Sequence, residues 1–368
     1  MMLYKCYQIS IIGCSSVQNP FVYYNVMSGN RGNGLRITDS RHIVIHGNFF
    51  GIGANNQFVL PNYKNGILID GKSEYIQIGY YIPLGNVVSG NRRNGIYITG
   101  EATNVISYNT FGGLAAFGLA LPNLQSSIKV DSKNSGIIAI RTCVMSGNRK
   151  NGVHLENTKN VIIDSVICGL STDGSGFIPN EEENVLIVNS KNIEVITHAK
   201  SVIFSSNIFG GSNGAGIRIH NSHHIRIKSC FVGVNVLGTS AFPNYNSGIA
   251  IVENSHHVEI ISQGNIDIDQ KLLKKMDDLS LTTFQFYLDN TSTPRDILST
   301  IVENIPNIIS GNDVYGILID ETSHDNTIVN NYIGYGLTKK PLPNFEKEIV
   351  DKGQNNSITG NLIYKRSI

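Results

Sequence analysis

Short stretches of alternating apolar and polar residues recur along the whole chain. Each stretch begins at a glycine, or at a residue that takes its place, and continues as an apolar–polar–apolar triplet. This period-2 alternation is typical of a β-strand with one buried face. The starts are separated mostly by about 30 residues, which predicts one solenoid turn for each. They are Gly34, Gly66, Gly95, Ser127, Gly152, Asn184, Gly216, Gly248, Gly316 and Glu348.

Two further motifs occur on every second turn, so the repeating unit is a pair of turns. Ser-Gly-Asn begins at Ser28, Ser89, Ser146 and Ser310, and we assign Ser-Ser-Asn207 the same place in the fourth pair. Pro-Asn follows 27 residues after its strand start in each pair. This registry predicts stacked turns of one shape. The prolines are Pro61, Pro122, Pro179, Pro243 and Pro343.

Asparagine and histidine recur at the predicted bends between strands. Asparagine tolerates the left-handed backbone that such bends require, and its amide can bond to the next turn. One bend row therefore predicts an amide ladder, made of Asn30, Asn91, Asn148, Asn207 and Asn312. The next bend row is mixed, and we interpret it as architectural: His42, Asn104, Asn160, Asn192, His224 and His257.

These patterns predict an all-β fold, a single-stranded right-handed parallel β-helix of about 11 turns. Helical repeats are excluded, because no turn carries apolar residues at helical spacing. The step from Gly248 to Gly316 is longer than the others, which predicts an insertion at 265–306 between β-helix segments 1–264 and 307–368.

The insertion has a different character from the turns around it. Its apolar spacing in KLLKKMDDL predicts an amphipathic helix, and Thr293-Pro294 resembles a helix N-terminus. We expect a helix, a short strand and a second helix against the side of the solenoid. Two roles stay open for it: a specific contact with a partner, or a cover for an apolar flank.

Residues 89–123, SGNRRNGIYITGEATNVISYNTFGGLAAFGLALPN, are similar to the repeats of the pectin-lyase-like superfamily of parallel β-helix proteins. The resemblance covers nearly the whole chain outside 265–306. It implies the fold but no single activity, because this architecture serves lyases, hydrolases, phage tail fibres and adhesive shafts. The chain also resembles β-helix repeat proteins found in bacteria and, in its residue usage, proteins of large DNA viruses of amoebae.

Composition and charge exclude some partners. The chain has 29 basic and 28 acidic residues, a formal charge of +1, which argues against nucleic acid as the main partner. No apolar run approaches the ~20 residues of a membrane span. We expect no secretory signal in Met1–Ser16, synthesis in a host cytoplasm, and then association with a virion. Cys143 and Cys168 are expected to be reduced thiols in the core, although matching places in neighbouring turns could also bring them within disulfide reach.

The outward face of the first strand row carries the best candidate for catalysis. Three consecutive turns display Tyr97, Lys129, Asp131, His154 and Glu156. Asp131 and Glu156 on adjacent turns would resemble the carboxylate pair of retaining glycosidases. Lys129 or His154 would then bind an acidic sugar or act as a base. The alternative is a solvated face of mixed charges.

A ligand-binding interpretation of the same face takes Tyr97, Lys129 and His154 together with Arg218. The resemblance implies a comparison with the motifs of the pectinolytic hydrolases, and on the strands of this chain only Arg226-Ile227-Lys228 matches one of them. Asp277-Asp278 falls in the insertion.

Histidine pairs at matching bends are the one candidate for metal binding. His223, His224, His256 and His257 could hold zinc or nickel, or simply replace asparagine in a bend row. We predict no metal and no cofactor.

Loops between a glycine and Pro-Asn recur every second turn and should form a ridge. They contain Phe58, Phe117, Phe177 and Phe242, which would either form an exposed apolar row or plug their own loops. Neither end shows an evident cap, so we expect the core to be covered either by a homo-oligomer, such as a trimer, or by the tails.

The function that the sequence favours is a non-catalytic structural or adhesive β-helix, virion-associated, that binds glycan or protein along its flank. The alternative is a carbohydrate-active enzyme, a polysaccharide lyase or glycoside hydrolase, acting on the outward strand face.

Overall fold

The computed structural model describes residues 1–16, 19–79, 85–115, 118–133, 136–197, 206–262 and 305–366. Three parallel sheets of 11 strands each run through this part of the chain, and no helix occurs in it. Consecutive strands of one sheet lie one turn apart in sequence. The fold is therefore a parallel β-helix of about 11 turns, as predicted, and the order of its three sheets fits a right-handed coil.

The first sheet contains the strands that follow the repeated starts. It consists of β1 (Met2–Tyr4), β6 (Leu35–Thr38), β9 (Ile67–Asp70), β12 (Ile96–Gly100), β15 (Ile128–Ser132), β18 (Val153–Glu156), β21 (Val185–Val188), β24 (Ile217–His220), β27 (Ile249–Val252), β30 (Tyr315–Ile319) and β33 (Lys347–Asp351).

The second sheet follows a short turn after the first. It consists of β2 (Tyr7–Ile12), β7 (Arg41–His46), β10 (Glu74–Ile78), β13 (Thr103–Tyr108), β16 (Ile138–Arg141), β19 (Lys159–Asp164), β22 (Lys191–Ile196), β25 (His223–Lys228), β28 (His256–Ile261), β31 (Thr327–Val329) and β34 (Ser357–Thr359).

The third sheet closes each turn, and a separate pair of antiparallel strands, β3 (Cys14–Ser16) and β4 (Asn19–Tyr23), lies near the N-terminus. The third sheet consists of β5 (Asn25–Val26), β8 (Asn48–Phe50), β11 (Val87–Val88), β14 (Phe111–Gly112), β17 (Val144–Met145), β20 (Ile167–Cys168), β23 (Asn207–Phe209), β26 (Cys230–Val232), β29 (Ile308–Ile309), β32 (Tyr332–Ile333) and β35 (Leu362–Ile363).

The interior is one continuous column of apolar side chains stacked turn upon turn. The first inward position of each first-sheet strand is buried from Leu35 to Ile317, while Ile349 at the last turn is only partly buried. Burying each such side chain stabilises the fold by about 1.5–3 kcal/mol. β-Branched residues dominate this column because they suit extended backbone.

An asparagine ladder runs along one edge of the coil, as predicted, but it is denser than the sequence suggested. Amides of the Ser-Gly-Asn bends alternate with amides of the Pro-Asn motifs. Asn91 Nδ2, for example, donates to Asn123 Oδ1 at 3.0 Å, and Asn123 Nδ2 donates to Asn148 Oδ1 at 3.1 Å. The members are Asn30, Asn62, Asn91, Asn123, Asn148, Asn180, Asn184, Asn244, Asn312 and Asn344.

The assignment of Asn207 to this ladder is wrong. Asn207 begins β23 and its Oδ1 accepts from the Val166 amide, at a different edge of the coil. Ser212 occupies the ladder position instead, with its amide bonded to Asn244 Oδ1 at 3.1 Å. The Ser212 hydroxyl donates to the same oxygen at 2.8 Å, and Asn184, at a strand start, joins Asn180 to Asn244.

The mixed bend row adopts the predicted left-handed backbone. Its φ angles include 56° at His42, 57° at Asn160 and 54° at His224. Tyr75, Asp325 and Asn355 also adopt a left-handed backbone, which the sequence pattern did not predict.

Two further predictions about the architecture concern the cysteines and the insertion, and the structure tests only the first. Cys143 and Cys168 are both buried free thiols, as expected. The predicted insertion lies outside the described residues except for Ile305 and Pro306, and Ile305 is buried in an apolar cluster beside the third sheet.

Candidate functional site

The strand-face cluster predicted from sequence does come together on three neighbouring strands. Tyr97 pairs in register with Lys129, and Lys129 pairs with His154. The register of β15 and β18 ends with the pair Val130 and Leu155, so Asp131 lies one position beyond it, next to Glu156. All five side chains are partly exposed.

A short ion pair dominates this cluster. Lys129 Nζ donates to Glu156 Oε2 at 2.6 Å, and His154 Nε2 lies 3.9 Å from the same oxygen. Lys129 Nζ also sits 6.0 Å from the centre of the Tyr97 ring. Lys129 and Glu156 thus compensate each other's charge.

Electrostatics leave this cluster poorly suited to proton transfer. The hydrogen bond from Lys129 lowers the pKa of Glu156, so this carboxylate stays ionised. Burial, reinforced by the nearby Lys129 charge, lowers the pKa of His154 to about 4. A general acid or base works best with a pKa near the working pH, and neither group has one near neutrality.

Arg218 does not join this cluster. It lies on β24, and Leu186 of β21 separates it from His154 on β18. Its charge instead acts on Glu183, whose pKa is raised by burial and lowered in part by Arg218. The four predicted ligand-binding residues therefore form a group of three and a separate arginine.

A groove that the sequence did not reveal lies at the corner between the first and second sheets. We call it the corner groove, and its cavity volume is about 460 Å³. Its wall repeats two residue types on successive turns, an amide and a base. The lining residues are Ser132, Lys133, Asn157, Thr158, Lys159, Asn189, Ser190, Lys191, Asn221 and His223.

An exposed amide column forms one side of the corner groove. Asn189 Nδ2 donates to Asn157 Oδ1 at 3.3 Å, and Asn221 Nδ2 donates to Asn189 Oδ1 at 2.8 Å. These three residues all have a left-handed backbone, with φ between 45° and 49°. Each amide uses one donor and one acceptor at most within the column, so further hydrogen-bonding capacity faces the groove.

A row of bases forms the other side. Lys159 pairs in register with Lys191, and Lys191 pairs with His223. No carboxylate lines the corner groove in the described part of the chain. Its nearest acidic neighbours in sequence are Asp131 and Glu156 on the strand face, and Glu156 is neutralised by Lys129. The described lining of the groove therefore carries only basic charge, on a molecule of nearly zero net charge.

The base row continues beyond the groove as stacked imidazoles. The His223 ring lies 5.0 Å from that of His256, with the planes 3° apart, and His256 lies 5.1 Å from His324. Beside them, His224 stacks on His257 at 5.1 Å. We call these five residues the imidazole column.

Neighbouring imidazoles also contact each other within one turn. His223 Nδ1 lies 2.6 Å from His224 Nδ1, and the same atoms of His256 and His257 are 2.7 Å apart. Burial and the neighbouring bases lower the pKa values of His223 and His256. Among the described residues, no group of three or more His, Cys, Asp or Glu side chains has a metal-binding arrangement.

A second groove, of about 580 Å³, lies on the outer face of the second sheet. Its charged residues are paired: Arg226 contacts Glu259 at 3.0 Å and Glu194 at 3.9 Å. Arg226 belongs to the Arg-Ile-Lys match noted in the sequence. Its two ion pairs give it a structural role that the match did not indicate.

The predicted loop ridge is a row of small hairpins. Antiparallel bridges such as Ile52–Val59 and Leu170–Phe177 close them. Phe58 is 52% exposed yet lies over its own Gly53, whereas Phe177 stacks on Phe242 of a later hairpin at 4.4 Å. Both predicted arrangements thus occur, and Phe117 lies outside the described residues.

Comparisons with known proteins give fold-level likeness only. No protein-family profile matches the sequence, and no curated protein matches it. Tailspike protein 2 of the Escherichia coli O157:H7 bacteriophage CAB120 is 11% identical, with a TM-score of 0.48 over 91% of this chain and 38% of the tailspike. This chain therefore spans well under half of that protein.

Two epimerases are similar at the same distant level. A double mutant of the periplasmic alginate epimerase AlgG is 12% identical, with a TM-score of 0.42 over 98% of this chain and 71% of that one. The A-module of the Azotobacter vinelandii mannuronan C-5 epimerase AlgE6 is 10% identical, with a TM-score of 0.28 over 91% of each chain. The strand pairing of this chain, rather than these scores, establishes its parallel β-helix fold.

The described part of the chain contains no helix of the length and apolarity needed to cross a membrane.

Proposed function

We propose that this chain is a non-catalytic adhesive β-helix that binds a glycan along its flank, in the corner groove. The observation that supports it is the pairing of an amide column with a row of bases, repeated on successive turns. Glycans present hydroxyl groups that both donate and accept hydrogen bonds, and side-chain amides match both roles. A groove that repeats along the axis suits a repeating polymer.

Lysines on the same wall add a second type of contact. Lys159 and Lys191 occupy adjacent turns, about 4.8 Å apart along the coil. Ammonium groups donate up to three hydrogen bonds each, to hydroxyl or carboxylate oxygens. The wall therefore offers a sugar chain an amide and a donor at every turn.

The strand-face cluster supports the non-catalytic part of the proposal. Its acid is held ionised by Lys129, and its histidine is held neutral by burial. A glycosidase of the retaining type needs one carboxyl group that carries a proton at the working pH. Glu156 is the reverse of such a group.

Glycan binding is tested with a panel of immobilised polysaccharides and two matched variants. Lys159→Ala/Lys191→Ala removes the base row of the corner groove, and Lys64→Ala/Lys72→Ala removes two exposed lysines elsewhere. We expect the wild type and the control variant to bind alike, and the groove variant to lose at least tenfold in affinity, about 1.4 kcal/mol. Equal binding by all three proteins would place the glycan elsewhere, and no binding by folded wild type would refute the proposal.

The alternative function, a carbohydrate-active enzyme, is supported by the convergence of Lys129, Asp131, His154 and Glu156. Its test is release of reducing ends or unsaturated uronates from the same polysaccharides. We expect no product from the wild type. Product that disappears in Asp131→Asn/Glu156→Gln would establish the enzyme and overturn the non-catalytic proposal. Virion association and synthesis in a host cytoplasm stay predictions.

A further inference from the structure

We propose that the corner groove and the imidazole column form one continuous site for an acidic glycan, bound more tightly as the pH falls. This inference rests on the proposed glycan-binding function and adds the chemical class of the glycan and a control by pH. The polymer class is one that carries carboxylate or sulfate groups along its length.

Continuity of the site follows from strand register. Lys159, Lys191, His223 and His256 follow one another in register on β19, β22, β25 and β28, and His256 is bridged to His324 on the next turn. Five successive turns therefore present one base each, at the same position of the coil. Strand stacking fixes their separation at about 4.8 Å. An extended polyanion along the axis would meet a base at every turn.

The two halves of this row differ in how they carry charge. Lysines stay cationic across the neutral range, whereas the lowered pKa values of His223 and His256 keep these two imidazoles mostly neutral at pH 7. Close stacking of the rings adds to this, because protonation of one imidazole opposes protonation of the next. At neutral pH, only the lysine half attracts anions strongly.

Charged groups around the column set the direction of the pH effect. His223 faces Lys191, His224, His256 and His257, and these bases oppose its protonation.

His256 lies in a similar setting between His223, His257 and His324, with His224 nearby. His324 Nδ1 contacts Asp325 Oδ2 at 2.7 Å. Among the described residues, Asp325 is the carboxylate in direct contact with the row.

Other carboxylates nearby are engaged in contacts of their own. Across the second-sheet groove, His224 and His257 face Glu194, Arg226 and Glu259, which pair with one another. In the turn before His256 and His324, the Asp320 carboxylate accepts from the Glu253 amide and from Ser323. Glu253 and Glu321 are exposed in that same turn.

The sign follows from linkage between proton and anion binding. A bound polyanion stabilises the protonated imidazoles, so binding takes up protons and becomes tighter as pH falls. Each imidazole that becomes charged only in the complex steepens this dependence. Acid conditions therefore lengthen the cationic row from two turns towards five.

An acidic glycan fits this surface better than a nucleic acid does. The exposed amides of Asn157, Asn189 and Asn221 lie beside the bases and match sugar hydroxyls. The whole chain has a formal charge of only +1, which gives little long-range attraction for a duplex. The test must therefore distinguish binding of an acidic glycan from binding of a nucleic acid.

The test measures binding of three probes at constant ionic strength, at about pH 7.5 and about pH 5. The probes are polygalacturonate, neutral dextran and duplex DNA. We expect wild type to bind polygalacturonate on the order of tenfold more tightly at the lower pH. Added salt should weaken this binding. His223→Gln/His256→Gln/His324→Gln should keep the neutral-pH affinity and lose the increase.

The control variant is His42→Gln/His220→Gln, which changes two histidines outside the column and should retain the increase. Binding of dextran as tight as that of polygalacturonate, with no effect of pH, would overturn this inference and leave the proposed function intact. DNA bound more tightly than polygalacturonate at low pH would overturn the choice of glycan. No binding of any glycan panel member by folded wild type would refute the proposed function as well.

Discussion

Single residues show how burial decides the chemistry of the strand face. His154 was predicted as a base or a ligand for an acidic sugar, because its outward position could be deduced from strand alternation. Its burial could not, since the residues that flank it in register, Lys129 and Leu186, meet it only when the turns stack. The sequence thus located the residue correctly and left its protonation undetermined.

The lowered pKa of His154 predicts a loss of stability in acid. The unfolded chain binds a proton below its usual pKa of 6.5, while the folded chain resists it down to about 4. Stability from this group is therefore full above pH 6.5 and declines as pH falls towards 4. At pH 5 the wild type should have lost about 2 kcal/mol through this group. His154→Gln should remove that part of the loss, measured by denaturant unfolding at pH 7.5 and pH 5.

A contradictory result would be an equal pH dependence in wild type and His154→Gln. The exposed His42→Gln serves as the control and should behave as wild type does.

Glu348 is the residue at which the asparagine ladder ends. Burial raises its pKa, and its Oε2 accepts from the Asn344 amide. Its Oε1 is buried and has no hydrogen-bond partner among the residues that the structure describes. A raised carboxyl pKa favours the folded state in acid and opposes it as pH rises past that pKa. Glu348→Gln keeps the acceptor and removes the charge, so it should stabilise the chain by about 1 kcal/mol near pH 7.5.

The Glu348→Gln gain should vanish near pH 4, where the glutamate is itself protonated. Thermal unfolding at both pH values checks this, with exposed Glu321→Gln as a control that should change little. A destabilised Glu348→Gln at neutral pH would show that the carboxylate is needed in charged form, for instance by Arg366.

The turns repeat so regularly that two departures from the pattern, Asn184 and Ser212, can be recognised as a coupled pair. Asn184 replaces the usual glycine of a strand start, and Ser212 replaces the usual asparagine of a bend. Each looked like an unremarkable substitution in the sequence. The structure shows that Asn184 fills the gap that Ser212 leaves, by joining Asn180 to Asn244.

A double-mutant cycle tests this coupling. Asn184→Gly should cost about 2 kcal/mol, because it removes hydrogen bonds from buried amides. Ser212→Asn alone should also destabilise, since Asn184 already occupies the space. Together the two changes restore the common arrangement and should recover most of the loss, a coupling of more than 1 kcal/mol. Simple additivity in urea unfolding would contradict the account.

The residues that line the corner groove recur at a regular spacing in the sequence, but this spacing alone did not predict a groove. Asn157, Asn189 and Asn221 are spaced by 32 residues, and so are Lys159, Lys191 and His223. The neighbouring bend row, which includes Asn160 and His224, is the one interpreted as architectural, and its backbone is left-handed. A groove, however, needs two rows on either side of a corner, and the angle between sheets is not encoded in the strand pattern alone.

Across the whole molecule, the repeat made the fold predictable from sequence. The length of a turn, strand alternation and Pro-Asn registry all require the same stacked coil. Function was less accessible, because every turn displays outward residues and only their burial and pairing separate a site from a solvated face. Lys129 with Glu156 and Arg226 with Glu259 are charged neighbours that neutralise each other, whereas the described residues that line the corner groove include bases and no carboxylate.

The most direct test of the central claim is a lysine-acetylation footprint of the folded wild type, with and without a bound polysaccharide from the panel. The account predicts slower acetylation of Lys159 and Lys191 in the complex, with Lys64, Lys72 and Lys129 unchanged. Protection of Lys129 without protection of the two groove lysines would contradict it, and would locate the glycan on the strand face instead.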